Sequence, residues 1–541
     1  MGNPQALIEK VRNHLKVKNA HLMAGRHIRK SAKMVVEKAP PATVPPIVFF
    51  NASTRLGGMS LNAGFALVTG WSLRLQGVPV VNFVCERGMT QCVLGTDRGE
   101  PPKTPPCKEC VEQSDWTCSY SDQVRCGFAA DAQLDEALEG LNLQDLCNFV
   151  WQDMPLGELV LPSARWILRR HHLSDDLTTL RILREYIRSG WSIARQFDAV
   201  LERFHPQSVV VFNGMQYPEA CARWVARKRD LKAYSHEVGL RPLSAFFTEG
   251  DATAYPLDLP ADFSLDAVET ARLDEYLDKR FKGNFQMAGV KFWPEMSGLD
   301  PEFVTLTKRF AQVVPVFTNV IFDTSQPHAN TLFEDMFVWL DEVLASARRH
   351  RETLFVIRAH PDETRKGKAS EESVANWAAR NKIEAEPNIK FISSEEYISS
   401  YDLIRMAKLV LVYNSTIGLE ASILGAPVLA AGKSRYSPAD VVWLPAKREA
   451  YLLHLEGMLS NPDIEIPQRF ARNARRFLYY QLFRSSLSFA KFLEEDGVWQ
   501  GYVKLKDFDL ADLLPENSAS LRVISEGLLK GGNFILKRGD V

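Results

Sequence analysis

The pattern that most constrains this chain is a repeating unit: a short apolar run, a polar turn, then an amphipathic stretch. It occurs in two series with a break near residue 300. The first series holds "IVFFNAS" (47–53), "VPVVNFVCE" (78–86), "SVVVFNG" (208–214) and "KAYSHEVG" (232–239). The second holds "VVPVFTNVIFD" (313–323), "TLFVIRAHPDE" (353–363) and "AKLVLVYNSTIGLEASILGAPVLAAG" (407–432). Short apolar runs of this kind read as strands buried on both faces, and parallel strands need a crossover between them. "FALVTGWSLRLQG" (65–77), stopping at Gly77, and "FEDMFVWLDEVLASARRH" (333–350) read as crossover helices. The predicted fold class is α/β, with two facing Rossmann-like, doubly wound lobes.

This divides the chain into a helical extension and linker (1–45), a first lobe (46–305), a second lobe (306–465) and C-terminal helices packing back on the lobes (466–541). "APPATVPP" (39–46) is the linker, because proline stops helices. Residues 95–126 are rich in Pro, Gly, Cys and charge and read as one long irregular loop, which is uncommon inside a compact domain. Residues 131–205 have a helical pattern, and the clearest piece after 465 is "RFARNARRFLYYQLF".

The formal net charge of −1 over 541 residues argues against a nucleic-acid partner. No uninterrupted apolar run reaches the roughly 18 residues of a membrane span. The first residues lack the apolar core of a signal peptide, and Ala6 stands where a myristoylation motif carries Ser or Thr. The expected location is the cytosol. Between Lys10 and Lys38 the chain is basic: Lys10, Arg12, Lys16, Lys18, Arg26, Arg29, Lys30, Lys33 and Lys38 stand against only Glu37. Two readings fit its apolar stripe. Residues 7–38 lie on an anionic membrane surface, or the helix packs on the body.

In open α/β sheets ligands sit beyond the carboxyl ends of the strands. Asn213, His236, Glu237, Arg358, His360, Asn414 and Ser415 all occupy such positions. Asn414, Ser415 and Thr416 form a turn into a helix, where two hydroxyls and free N–H groups can cradle phosphate. Glu420, one turn on, can accept hydrogen bonds from ribose hydroxyls. The alternative is ordinary helix capping by Ser and Thr. In "IRAHPDE" (357–363), Arg358 can pair with phosphate, His360 can donate to it or act as a general acid, and Glu363 follows close by. His236 and Glu237 are the candidate base for an acceptor hydroxyl. Gly57, Gly58 and Asn213 are candidate acceptor contacts.

Of eight cysteines, Cys85, Cys92, Cys107 and Cys110 cluster, and four thiolates suit a closed, structural zinc site. The alternative is reduced, partly buried thiols. The chain lacks a GxxxxGK[ST] loop, an H-E-x-x-H pair, a G-x-S-x-G elbow and a G-x-G-x-x-G turn after its first strand.

"RAHPDE" followed by "NSTIGLEASILGAPVLAAGKSRY" resembles the capsule polysaccharide biosynthesis glycosyltransferases, a group that includes Kdo transferases. The pairing of a His-Pro loop with a Ser turn is also similar to bacterial sialyltransferases. "VFNG" (211–214), "HEVG" (236–239) and "FVCERGMTQC" with "PPCKEC" extend the likeness loosely into the first lobe. Where relatives carry Arg-Pro-His-Pro, this chain has Arg-Ala-His-Pro. The resemblance implies a GT-B fold, with an acceptor-binding first lobe and a nucleotide-sugar-binding second lobe. It implies donor contacts from His360, Ser415, Thr416 and Glu420, and it favours a CMP-linked donor and a glycan or lipid-linked acceptor. Catalysis on this scheme requires no metal. The rivals are a same-fold sugar-nucleotide 2-epimerase, a polyol-phosphate transferase, and a non-catalytic scaffold in a polysaccharide assembly complex.

Overall fold

A computed structural model describes residues 4–52, 58–99, 102–282, 297–365, 369–498 and 501–541, with side chains from residue 17 onward in the N-terminal helix. Fifteen strands are described: β1 (Ile47–Asn51), β2 (Met59–Ser60), β3 (Val80–Cys85), β4 (Asp122–Cys126), β5 (Ser208–Phe212), β6 (Lys232–Val238), β7 (Ser244–Glu249), β8 (Gln312–Phe317), β9 (Thr353–Arg358), β10 (Ile389–Ile392), β11 (Val410–Val412), β12 (Val428–Ala430), β13 (Leu487–Ser488), β14 (Leu493–Glu495) and β15 (Tyr502–Leu505). The apolar runs of the sequence become the central strands because they are covered on both faces. β1, β9 and β11 are buried almost throughout.

The strands form two large sheets. The first has the order β13-β7-β6-β5-β1-β3-β4 and the second β10-β9-β8-β11-β12. The second sheet is parallel throughout. Counting from β8, its order is 3-2-1-4-5, which is doubly wound with a switch point between β8 and β11. The first sheet repeats this scheme about β1 and adds antiparallel β7 and β13 at one edge. Each sheet carries apolar clusters on both faces.

Two stretches differ from the sequence reading. The supposed loop at 95–126 contains the helix Cys107–Thr117 and ends in β4, which pairs in parallel with β3. β4 is an edge strand with a polar, half-exposed sequence, so hydrophobic patterning did not reveal it. After residue 465 the chain is not all helix. The helix Gln468–Tyr479 is followed by β13, which joins the first sheet, and by β14 and β15, which pair with each other, β15 also pairing with β2. The helix Ala519–Lys530 then closes the first lobe, where Ser525 Oγ accepts from Gln76 Nε2 at 3.0 Å.

The N-terminal helix, α1 (Pro4–Lys38), buries Ile28, Ala32 and Val35. A Cβ added at Gly25 would lie 2.4 Å from the Trp116 ring, so glycine permits this contact. The packed reading therefore holds for the inner face of its second half. No helix among the described residues is long and apolar enough to cross a membrane.

Candidate active site

A cavity of about 930 Å³ opens between the lobes. Its size suits a ligand as large as a nucleotide sugar. The second lobe lines it with the loops after β8, β9 and β11, at the carboxyl ends of three parallel strands. The switch point lies at its centre, where Asn319 Nδ2 donates to Asn414 Oδ1 at 2.8 Å and joins the loops on either side. Arg358, His360, Asn414, Ser415, Thr416 and Glu420 all face this space.

The local geometry narrows what each can do. The backbone N–H of Asp362 donates to His360 Nδ1 at 3.1 Å. Nδ1 is therefore the acceptor, and the ring proton of neutral His360 resides on Nε2. Burial lowers the His360 pKa, which keeps the ring neutral. His360 is thus a hydrogen-bond donor through Nε2, not the imidazolium that a general acid requires. Arg358 is 4% exposed and donates through Nη1 to the Ile398 carbonyl. Burial brings its pKa down to about 10, and it remains a cation at neutral pH.

Thr416 stands at the N-cap of the helix Ile417–Ile423 but makes no side-chain capping bond. The capping alternative is therefore not how this hydroxyl is used. Tyr436 fixes the turn by donating its OH to the Ser415 carbonyl at 2.7 Å. Glu420 is held by two partners. Arg280 donates to Oε1 from Nε at 2.8 Å, and Tyr401 donates to Oε2 at 2.6 Å.

Other candidates fall elsewhere. Glu363 is 2% exposed, accepts from the Val374 N–H at 3.0 Å, and does not line the cleft. Burial raises its carboxyl to about 8, so it is protonated at neutral pH. His236 lies within aromatic packing of Phe65, Phe212 and Phe247, and burial lowers its pKa to about 3. A ring so enclosed cannot reach an acceptor hydroxyl. Glu237 does not line the cleft, and its oxygens accept from Asn213 Nδ2 at 2.9 Å and the Val238 N–H at 2.8 Å. Asn213 also accepts from the N–H groups of Met215 and Gln216, so it holds the turn that leads into the next helix. Gly58 packs against Tyr502, whose ring an added Cβ would meet at 2.8 Å. Gly57 lies outside the described residues.

Residues 305–444 match the family model described as capsule polysaccharide biosynthesis protein, a span that holds every second-lobe residue named above. Protein FixF of Sinorhizobium fredii is 33% identical over 139 residues, which is 25% of this chain and 30% of that protein. The chain thus spans less than a third of the curated relative it matches. Among solved structures, Thermosulfurimonas dismutans KpsC, titled a beta Kdo 2,4 transferase, aligns at 15% identity over 50% of this chain and 79% of its own, with TM-score 0.33. The UDP-GlcNAc 2-epimerase of Neisseria meningitidis aligns at 13% identity over 81% of this chain and 99% of its own, with TM-score 0.24.

The second lobe meets groups that sequence reasoning missed. Asp251, from the loop after β7, accepts from His328 Nε2 at 3.0 Å and from Thr253 Oγ1 at 2.9 Å. Both Asp251 and His328 line the cleft, one from each lobe. Burial pushes the Asp251 carboxyl up, but His328 and Arg223 outweigh this, so it sits below its ordinary value and is ionised. Gly214, at φ 89°, lets this loop approach, since a Cβ there would lie 3.0 Å from Asp251 Cα. Arg280 comes from the helix Ala267–Phe281. The capping box of Asp266 and Glu269 was a sequence signal for that helix. The pairing of Asp251 with His328 had none, since 77 residues separate them.

Proposed function

We propose that this chain is a glycosyltransferase of bacterial surface polysaccharide synthesis that moves a sugar from a nucleotide-sugar donor to a glycan or lipid-linked acceptor. The observation that carries the reading is a set of groups suited to phosphate at the second lobe's switch point. Arg358, His360 Nε2–H and the Ser415–Thr416 turn converge on one cavity within the family-matched span. Such donors stabilise the negative charge that develops on a leaving phosphate. A CMP-linked donor is favoured by the resemblance of this loop and turn to the Kdo-transferase group, and it presents a single phosphate to them.

The acceptor hydroxyl attacks the anomeric carbon, the bond from that carbon to the phosphate oxygen breaks, and the nucleotide leaves. The hydroxyl proton goes to His328. With Asp251 ionised, His328 Nε2 carries the hydrogen shared with Asp251 Oδ1, which leaves Nδ1 as the basic atom. Because one partner comes from each lobe, the base is assembled only when the lobes are together. The protein works at the cytoplasmic face, where α1 exposes Lys18, Arg26, Arg29, Lys30, Lys33 and Lys38 to anionic lipid.

The test is thermal unfolding with CMP, CDP, UDP, GDP, TDP and ADP. A nucleotide at about 100 times its Kd stabilises the folded state by about 2.7 kcal/mol. A CMP-selective rise in melting temperature, lost in His360→Ala and Ser415→Ala, is expected. A UDP-selective rise would move the assignment to an epimerase. No shift with any nucleotide would overturn the transferase reading in favour of a scaffold.

A further inference from the structure

A second cavity, about 30 Å³, lies in the first lobe and shares no lining residue with the cleft. Cys85, Cys92, Cys107 and Cys110 all line it, from the end of β3, the segment after it, and the first turn of α2 (Cys107–Thr117). None of the four forms a disulfide. Two of the sulfurs share a local device. The N–H of Gly88 donates to Cys85 Sγ at 3.2 Å, and the N–H of Gly95 donates to Cys92 Sγ at 3.2 Å. In each case a glycine three residues on brings its backbone onto the sulfur. A Cβ at Gly88 would lie 2.6 Å from the Cys126 carbonyl, and one at Gly95 would lie 2.8 Å from Pro105. Backbone N–H groups aimed at sulfur are the donors that a metal-bound thiolate accepts. The other two cysteines are spaced i, i+3 on one helix face, as a chelating pair requires.

We propose that these four cysteines form a structural site for a zinc-class divalent ion held by four thiolates. The cavity has room for about one such ion. No three of the four sulfurs lie within 4.8 Å of one another, so binding requires them to draw closer together. Four thiolates on a divalent ion leave a net charge of about −2, which Arg87 on the cavity wall partly offsets. The site would staple α2 to the sheet, and α2 in turn supports α1 through Trp116. Among the described residues the group that does lie within 4.8 Å is His171, His172 and Asp335. There both ring nitrogens of His172 are already bonded to carboxylates, of Asp335 and Glu372.

The experiment is elemental analysis of the full chain, purified without chelator and again after zinc loading and desalting. The expected result is about one zinc per chain, released by a mercurial that titrates the thiols. Cys107→Ser with Cys110→Ser should lose the metal, while Cys147→Ser, outside the cavity, should keep it. Should the double variant misfold, cobalt loading of the unaltered protein decides, because tetrathiolate cobalt has an intense sulfur charge-transfer band. Folded protein with less than about a tenth of an equivalent after loading, or cobalt without that band, would overturn the proposal.

Discussion

At the residue scale the cleft separates two kinds of histidine. His360 and His328 are both oriented by a defined partner, a backbone N–H for one and a carboxylate for the other. His236 is enclosed by aromatic rings, and its buried Nδ1 has no hydrogen-bond partner among the described residues. Such a group costs stability, whereas an apolar residue of similar size does not. His236→Leu is expected to leave the melting temperature unchanged or raised by the equivalent of about 1 kcal/mol. Its turnover and nucleotide response should stay within about twofold of the parent. His328→Ala, by contrast, should cut turnover about 100-fold or more with nucleotide binding intact. Steady-state kinetics with thermal-shift titration on both variants separates the two roles. Equal losses in both variants would count against the base assignment.

At the element scale the Ser415–Thr416 turn depends on one glycine. A Cβ at Gly418 would lie 2.3 Å from the Tyr436 hydroxyl, the group that donates to the Ser415 carbonyl. Gly418→Ala is therefore expected to lower stability by about 1–3 kcal/mol and to abolish the nucleotide-induced shift. Adding Tyr436→Phe removes the clashing oxygen and should recover part of the stability but not the fixed turn. Denaturant unfolding and nucleotide titration of the single and double variants read the two effects apart. The strands that build this turn were legible in the sequence, since "LVLVY" and "APVLAA" are apolar runs bounded by turn residues. β4 was not, because "DQVRC" pairs on one side only and needs little apolar surface. α2 was obscured by a polar sequence that packs only part of its surface, burying Gln113 and Ser114.

At the scale of the whole molecule the lobes are joined by charge as well as by chain. His172 of the first lobe lies between Asp335 and Glu372 of the second, and hydrogen bonds to these carboxylates raise its pKa to about 10. A raised folded pKa contributes stability in full below the ordinary value of about 6.5, lost progressively as pH rises through 10. His171 beside it behaves oppositely. Burial first, then the nearby charges of Arg165 and His172, lower its pKa to about 4, against the pull of Asp335 and Glu372. Its contribution is present above about 6.5 and is lost as pH falls toward 4. The His172 side chain is 55% exposed, so solvent screening keeps the effect modest. The melting temperature should peak near neutral pH and decline toward pH 10, and His172→Gln should flatten the alkaline decline. An unchanged alkaline slope in the variant would show that this contact does not join the lobes.

The sequence by itself determined the two series of buried strands, the helices between them and the residues at the strand ends. Each of these is set by apolar periodicity and turn chemistry within about 20 residues of chain. That is why Arg358, His360, Asn414, Ser415 and Thr416 could be read as neighbours of a ligand. The tertiary structure alone decided which strand-end residues face the cleft and which are covered, as with His236 and Glu363. It alone brought Asp251 to His328, Arg280 to Glu420 across 140 residues, and the C-terminal strands back to the first lobe. Contacts of this kind arise from how two packed lobes meet, and that geometry depends on the summed shape of their cores.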